Sequence, residues 1–170
     1  MADVTRNTGF KQERRKDEMT KARKSAESFP VFEKHHGVWE GTYTRMDART
    51  GQILDRHHSR LTCIKRGEEW FQRNEYIWDD GRTETKEFPG VFADGALRFD
   101  NERLRGEAYE VDGQTIVLRW IYKDRPHESY SEIITLVDDH HRARVWQHFE
   151  HGRFTKLTVI DERKTGDQPS

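Results

Sequence analysis

The sequence has a single cysteine, Cys63, and only four prolines in 170 residues. One cysteine excludes an intramolecular disulfide and any cysteine-built zinc site. It points away from a cross-linked secreted scaffold and toward a reducing cytoplasm. No apolar run approaches the ~20 residues of a membrane-spanning helix, and the N-terminus lacks the apolar core of a signal peptide. Net charge is scarce too: 30 basic against 31 acidic residues leave −1, so nothing draws the whole chain to phosphate. Residues 1–28 carry a local excess of eight Lys/Arg over five Asp/Glu. No aromatic residue interleaves the charges of 11–28, so a nucleic-acid partner is not expected. Apolar residues make up only 32%, a fraction that would suggest disorder if they were scattered. They are not scattered, because the Trp, Tyr and Phe residues fall mostly in alternating runs.

Residues 11–28 hold good helix formers without Gly or Pro, which predicts a helix or arm lying on the body and ended by Pro30. From Gly37 the pattern changes to period two. It predicts strands at about 37–46, 52–65, 68–79, 82–88, 91–99, 103–111, 114–123, 128–138, 141–150 and 153–163. Turn pairs separate them, among them Arg66-Gly67, Pro89-Gly90, Asp94-Gly95, Asp112-Gly113 and His151-Gly152. None of the gaps has room for a crossover helix, so the strands form an antiparallel up-and-down meander. Closing it into a barrel of about eight to ten strands removes the exposed edges. The expected organisation is an arm or helix over 1–30, an all-β barrel over 31–165 and a disordered tail over 166–170.

Residues 68–79 say most about the interior. Glu69, Phe71, Arg73, Glu75, Ile77 and Asp79 share one face, and its charges belong in water. Trp70, Gln72, Asn74, Tyr76 and Trp78 share the other. Buried amides cost a few kcal/mol without partners, so two in a row among aromatics predict a cavity holding a polar ligand or ordered water. By the same alternation Ile116, Leu118, Trp120 and Tyr122 point inward, as do His57, Ser59, Leu61 and Cys63, and Tyr130, Glu132, Ile134 and Leu136. Leu104, Gly106 and Ala108 suit a narrow place. In 141–150 two sets compete, and the reading favours Val145, Gln147 and Phe149 inside over Arg144, Trp146 and His148.

The stretch Gly37-Val38-Trp39-Glu40-Gly41 resembles the opening of the calycin barrels, the lipocalins and fatty-acid-binding proteins. There a Gly-x-Trp begins the first strand and a late Arg packs over the indole. Trp39 matches the Trp, and Arg163, with Arg153 as alternative, stands where the Arg would. The longer run GVWEGTYTRMDARTGQILD looks more specifically like a lipocalin-like family of unknown function common in cyanobacteria. The resemblance implies an interior ligand site and carries over no catalytic residue. The short link between the first two strands leaves no room for the helical lid of the fatty-acid-binding barrels.

Among candidate chemical groups, His57 is the acid–base residue of choice, since a buried imidazole titrates near neutral pH. Its bland alternative is a histidine hydrogen-bonded to Ser59 or a neighbouring strand. Glu132 is the second, because a carboxylate enclosed by rings could hold or deliver a proton. Tyr76, Tyr122 and Tyr130 could donate to a carbonyl or phenolate, or serve as wall. The pairs His35-His36 and His140-His141 read as surface histidines, and neighbours on a strand cannot grip one metal ion. No metal and no cofactor is expected, a haem on one inward His being the minor alternative. Cys63 reads as a small buried filler.

The favoured function is binding of a small amphipathic or aromatic organic ligand, contacted by Tyr43, Trp70, Gln72, Asn74, Trp78, Trp120, Tyr122, Tyr130 and Gln147. The alternative is a cofactor-independent cyclase, isomerase, dehydratase or decarboxylase using His57, Glu132 and Tyr76 in the same cavity. A third reading is an interaction module built on the basic arm. A homodimer stays open.

Overall fold

A computed structural model describes residues 28–167. Nearly all of the expected N-terminal arm, and the last residues of the expected tail, lie outside them. Pro30 opens a short helix, α1 (Pro30–Lys34), where its fixed φ and missing N–H are harmless.

Ten antiparallel strands follow: β1 (Gly37–Asp47), β2 (Ile53–Arg66), β3 (Glu69–Ile77), β4 (Thr83–Ala93), β5 (Ala96–Asp100), β6 (Leu104–Glu110), β7 (Thr115–Tyr122), β8 (Arg125–Asp138), β9 (His141–Glu150) and β10 (Arg153–Gly166). Each pairs with its neighbours in the chain, and β1 also pairs with β10, which closes the barrel. Pro89-Gly90 is no turn. Both residues lie within β4, opposite Phe71 and Trp70 of β3. Pro89 sits at an exposed position. Gly90 marks a close approach instead, since a Cβ there would meet the Leu97 side chain at 2.9 Å. Gly106 does the same for β7: a Cβ would meet Trp120 at 2.5 Å.

One end of the barrel is plugged. Phe29, Val31 and Phe32 are buried there, Phe32 standing edge-on to Trp70 at 5.5 Å and to Phe92 at 5.1 Å. The orphan N–H groups of Val31 and Phe32 donate to Glu110 Oε1 at 2.7 and 2.8 Å. His35, expected at the surface, is 2% exposed. Its carbonyl accepts from the Trp39 indole at 2.9 Å.

Above the plug lies a layer of buried charge. Arg142 and Arg144 of β9, Glu132 of β8 and Glu162 of β10 are all buried. Arg144 Nε donates to Glu132 at 2.6 Å, and its Nη1 donates to Glu162 at 3.1 Å and to the Tyr43 hydroxyl at 3.0 Å. Arg142 donates to Glu162 and stacks over Trp39 at 4.4 Å. This corrects two expectations. Arg163 is exposed, and the cations over the indole are Arg142 and, at 5.7 Å, Lys164 beside it. And β9 turns its arginines inward while Gln147 is exposed. The physical reason is charge: two buried carboxylates on flanking strands need cations between them.

Candidate functional site

The end opposite α1 opens into a cavity of about 300 Å³. One wall comes from β1, β2 and the end of β3. Tyr43 stacks on His57 at 5.1 Å, and His57 lies 4.5 Å from the Trp78 ring. Asp55 ties these together, accepting from the Trp78 indole at 2.8 Å and standing 3.0 Å from His57 Nδ1, with Arg45 at 3.3 Å. The wall on the other side of the ring of strands comes from β7, β8 and β9. Trp120, Tyr130 and His148 form a continuous stack, with centroids 4.9 and 4.5 Å apart and interplanar angles of 11° and 9°. Glu128 anchors it, accepting from the Tyr130 hydroxyl at 2.7 Å and from Arg125 at 2.9 Å. His148 Nε2 is 3.5 Å from Glu128, an ion-pair distance without hydrogen-bond geometry. Each wall thus carries the same set: a carboxylate, a histidine, an arginine and an aromatic residue held by the carboxylate. Trp146 stands between them, edge-on to Tyr43 at 5.5 Å and to Trp120 at 5.4 Å.

The electrostatics follow from this anchoring. Burial works to raise the Asp55 carboxyl, but the hydrogen bonds from Trp78 and His57 outweigh it and hold the group below its ordinary value. Burial likewise opposes ionisation of Glu128, and the Tyr130 hydrogen bond with Arg125 prevails. Burial lowers both His57 and His148, which favours neutral rings at pH 7. Burial raises Tyr43, Tyr76 and Tyr130, so all three hydroxyls keep their protons.

Of the residues singled out in the sequence, Tyr43, His57, Tyr76, Trp78, Tyr122 and Tyr130 line this mouth cavity. Gln72, Asn74, Trp120 and Glu132 line a separate inner compartment of about 40 Å³ with Arg144 and Trp146. Trp70 lies deeper, against the plug. His57 and Glu132 therefore border different cavities, and Glu132 is an ion-pair partner of Arg144. The amides do face inward, but their need for partners is met without a ligand. Gln72 Nε2 donates to Asn74 Oδ1 at 2.8 Å, and Asn74 Nδ2 donates to the Tyr76 hydroxyl at 2.8 Å. His57 is bonded to Asp55 and not to Ser59, whose hydroxyl is 3.4 Å from the Gly41 carbonyl. Asp55, Glu128, Trp146 and His148 were missed as site residues. Asp55 was within reach, being two residues from His57 on one strand face. Among the described residues, no group of three His, Cys, Asp or Glu side chains is placed to hold a metal ion. No helix among them is long and apolar enough to cross a membrane.

The profile of a family described as "Domain of unknown function (DUF3598), N-terminal" matches residues 25–167. The chain belongs to that family. A DUF3598 protein of unknown function from Nostoc punctiforme superposes with a TM-score of 0.65 at 14% identity, covering 81% of this chain and 51% of that one. This chain thus spans about half the length of its Nostoc relative. An S-type phycobiliprotein lyase from Guillardia theta superposes with a TM-score of 0.63 at 15% identity, over 82% of this chain and 92% of the lyase. A protein from M. tuberculosis gives 0.55 at 13% identity, over 82% and 99%. At these identities the likeness is one of fold. No curated protein matches the chain. The lipocalin-like likeness read from the G-x-W-x-G opening stands: this DUF3598 chain is a closed ten-stranded barrel.

Proposed function

We propose that the barrel binds a flat amphipathic organic molecule in its mouth, between the Tyr43–His57–Trp78 wall and the Tyr130–His148 wall, which Trp120 backs from the inner compartment. The observation that carries this is a cavity of about 300 Å³ lined on one side by Tyr43, His57 and Trp78 and on the other by Tyr130 and His148, with Asp55 pinning the first side and Glu128 the second. That volume is at the lower end of the range for organic-ligand pockets. Ring faces supply dispersion and area, while neutral imidazoles and protonated tyrosines orient polar edges. The similarity of fold to a protein named a phycobiliprotein lyase supports a barrel that handles an organic molecule.

The test is a fluorescence titration with phenylnaphthylamine, a flat uncharged dye. Saturable one-to-one binding is expected, weakened about tenfold or more in Tyr130→Ala and Trp78→Ala, in line with the loss of a buried aromatic anchor. Binding that is absent, or equal in the wild type and both variants, contradicts the proposal.

The catalytic reading has one observation in its favour, the Asp55–His57 pair. Asp55 beside Nδ1 would fix the tautomer and leave Nε2 as a base, the arrangement general-base histidines use. Tyr76 lines the same cavity and could donate to a carbonyl. Glu132 takes no part in this version. Any turnover of a bound molecule should disappear in His57→Gln and survive in Glu132→Gln if that variant folds. The reverse pattern would remove His57 from the chemistry.

A further inference from the structure

All the buried side-chain polar atoms left without a hydrogen-bond partner among the described residues are nitrogens of Trp, His or Arg. Two of them belong together. The indole N–H groups of Trp120 and Trp146 have no acceptor, and both rings line the same inner compartment of about 40 Å³. Trp120 is 7% exposed, so water outside the barrel does not serve its N–H. An indole nitrogen can only donate, which leaves no ambiguity of tautomer. Unpaired buried donors are costly, and a pair of them at one place marks a position for an acceptor. Trp146 also lines the mouth cavity, so the compartment and the mouth adjoin at its ring.

From this we infer that the inner compartment takes the carbonyl oxygen of the molecule whose rings lie in the mouth. The inference rests on the binding proposed above and specifies its ligand class: a flat aromatic or conjugated ketone, lactam or amide. A carbonyl oxygen has two lone pairs, one for each indole N–H. A carboxylate suits the place less well. Arg142 and Arg144 are already balanced by Glu132 and Glu162, and Glu132 itself lines the compartment. An added full negative charge there would be buried without a counter-charge.

Three probes of one shape separate the cases: acetylnaphthalene, ethylnaphthalene and naphthoate. Calorimetry on the wild type should show the ketone binding about tenfold tighter than the hydrocarbon, the size expected of one to two added neutral hydrogen bonds, with naphthoate weaker than the ketone. The ratio of ketone to hydrocarbon affinity should fall toward one in Trp120→Phe and in Trp146→Phe. Independently of any variant, two of the five indole N–H resonances should move downfield with the ketone and not with the hydrocarbon. Equal binding of ketone and hydrocarbon overturns the inference and leaves the mouth site standing. So does preferred binding of naphthoate, or a ketone preference that survives both substitutions. If none of the three probes binds, the mouth site falls and the inference with it.

Discussion

The plugged half of the barrel and its open half use the same residue types to opposite ends. Around the charged layer, polar groups serve one another: Arg144 alone joins Glu132, Glu162 and Tyr43, and Gln72, Asn74 and Tyr76 run as a ladder along β3. In the mouth a polar group such as His57 is held on one side, by Asp55, while its ring lines the cavity. Buried polar residues therefore do not by themselves announce a ligand. What distinguishes a site is a polar group fixed on one side and free on the other.

Substitutions should separate the halves. The largest effect belongs to Arg144→Met, which strands the buried Glu132 carboxylate and leaves Glu162 with Arg142 alone. A loss of about 3–5 kcal/mol in denaturant unfolding is expected, and a loss under about 1 kcal/mol would mean the layer is hydrated. Glu110→Ala removes the acceptor for the Val31 and Phe32 N–H groups and should cost about 1–3 kcal/mol. Unchanged stability there would show that α1 does not hold the plug. His148→Ala in the mouth should cost little stability, about 1 kcal/mol or less, yet weaken phenylnaphthylamine severalfold. If it unfolds the protein instead, the mouth is core by another name.

Acid sharpens the contrast further. Burial first, then the Arg142 charge, hold His35 well below the ordinary histidine value. The unfolded chain therefore takes up this proton before the folded one. The stability His35 contributes is complete above its unfolded pKa, about 6.5, and is lost as pH falls from there toward the depressed folded value. Stability measured from pH 7 to pH 5 should thus decline, and decline less steeply in His35→Gln. An equal slope in both would assign the acid sensitivity elsewhere. The smallest effect is expected at Gln147, which is exposed. Gln147→Ala should change stability by no more than about 0.5 kcal/mol and leave dye binding as it was.

How far the sequence could be read follows from the same physics. Period two is a local signal, and it placed ten strands and most inward faces, including Trp120, Tyr130 and Glu132. It failed where a local cue had two meanings. Pro89-Gly90 looks like a turn but is an exposed proline beside a glycine that admits Leu97. In β9 the set Val145, Gln147 and Phe149, uncharged and two-thirds apolar, reads as the interior by composition, whereas facing strands decide otherwise. Glu132 and Glu162 demand cations, and only the pairing of β8, β9 and β10 shows that Arg142 and Arg144 supply them. Alternation puts Asp55 on the face of His57, but it does not encode the bond from the Trp78 indole that gives Asp55 its place in the wall.

The most direct test of the account is to locate a bound molecule by its neighbours. Nuclear Overhauser contacts from bound phenylnaphthylamine should reach ring protons of His57, Trp78, Tyr130 and His148. Contacts confined to outward side chains such as Ile133 and Val159, both exposed, would contradict it.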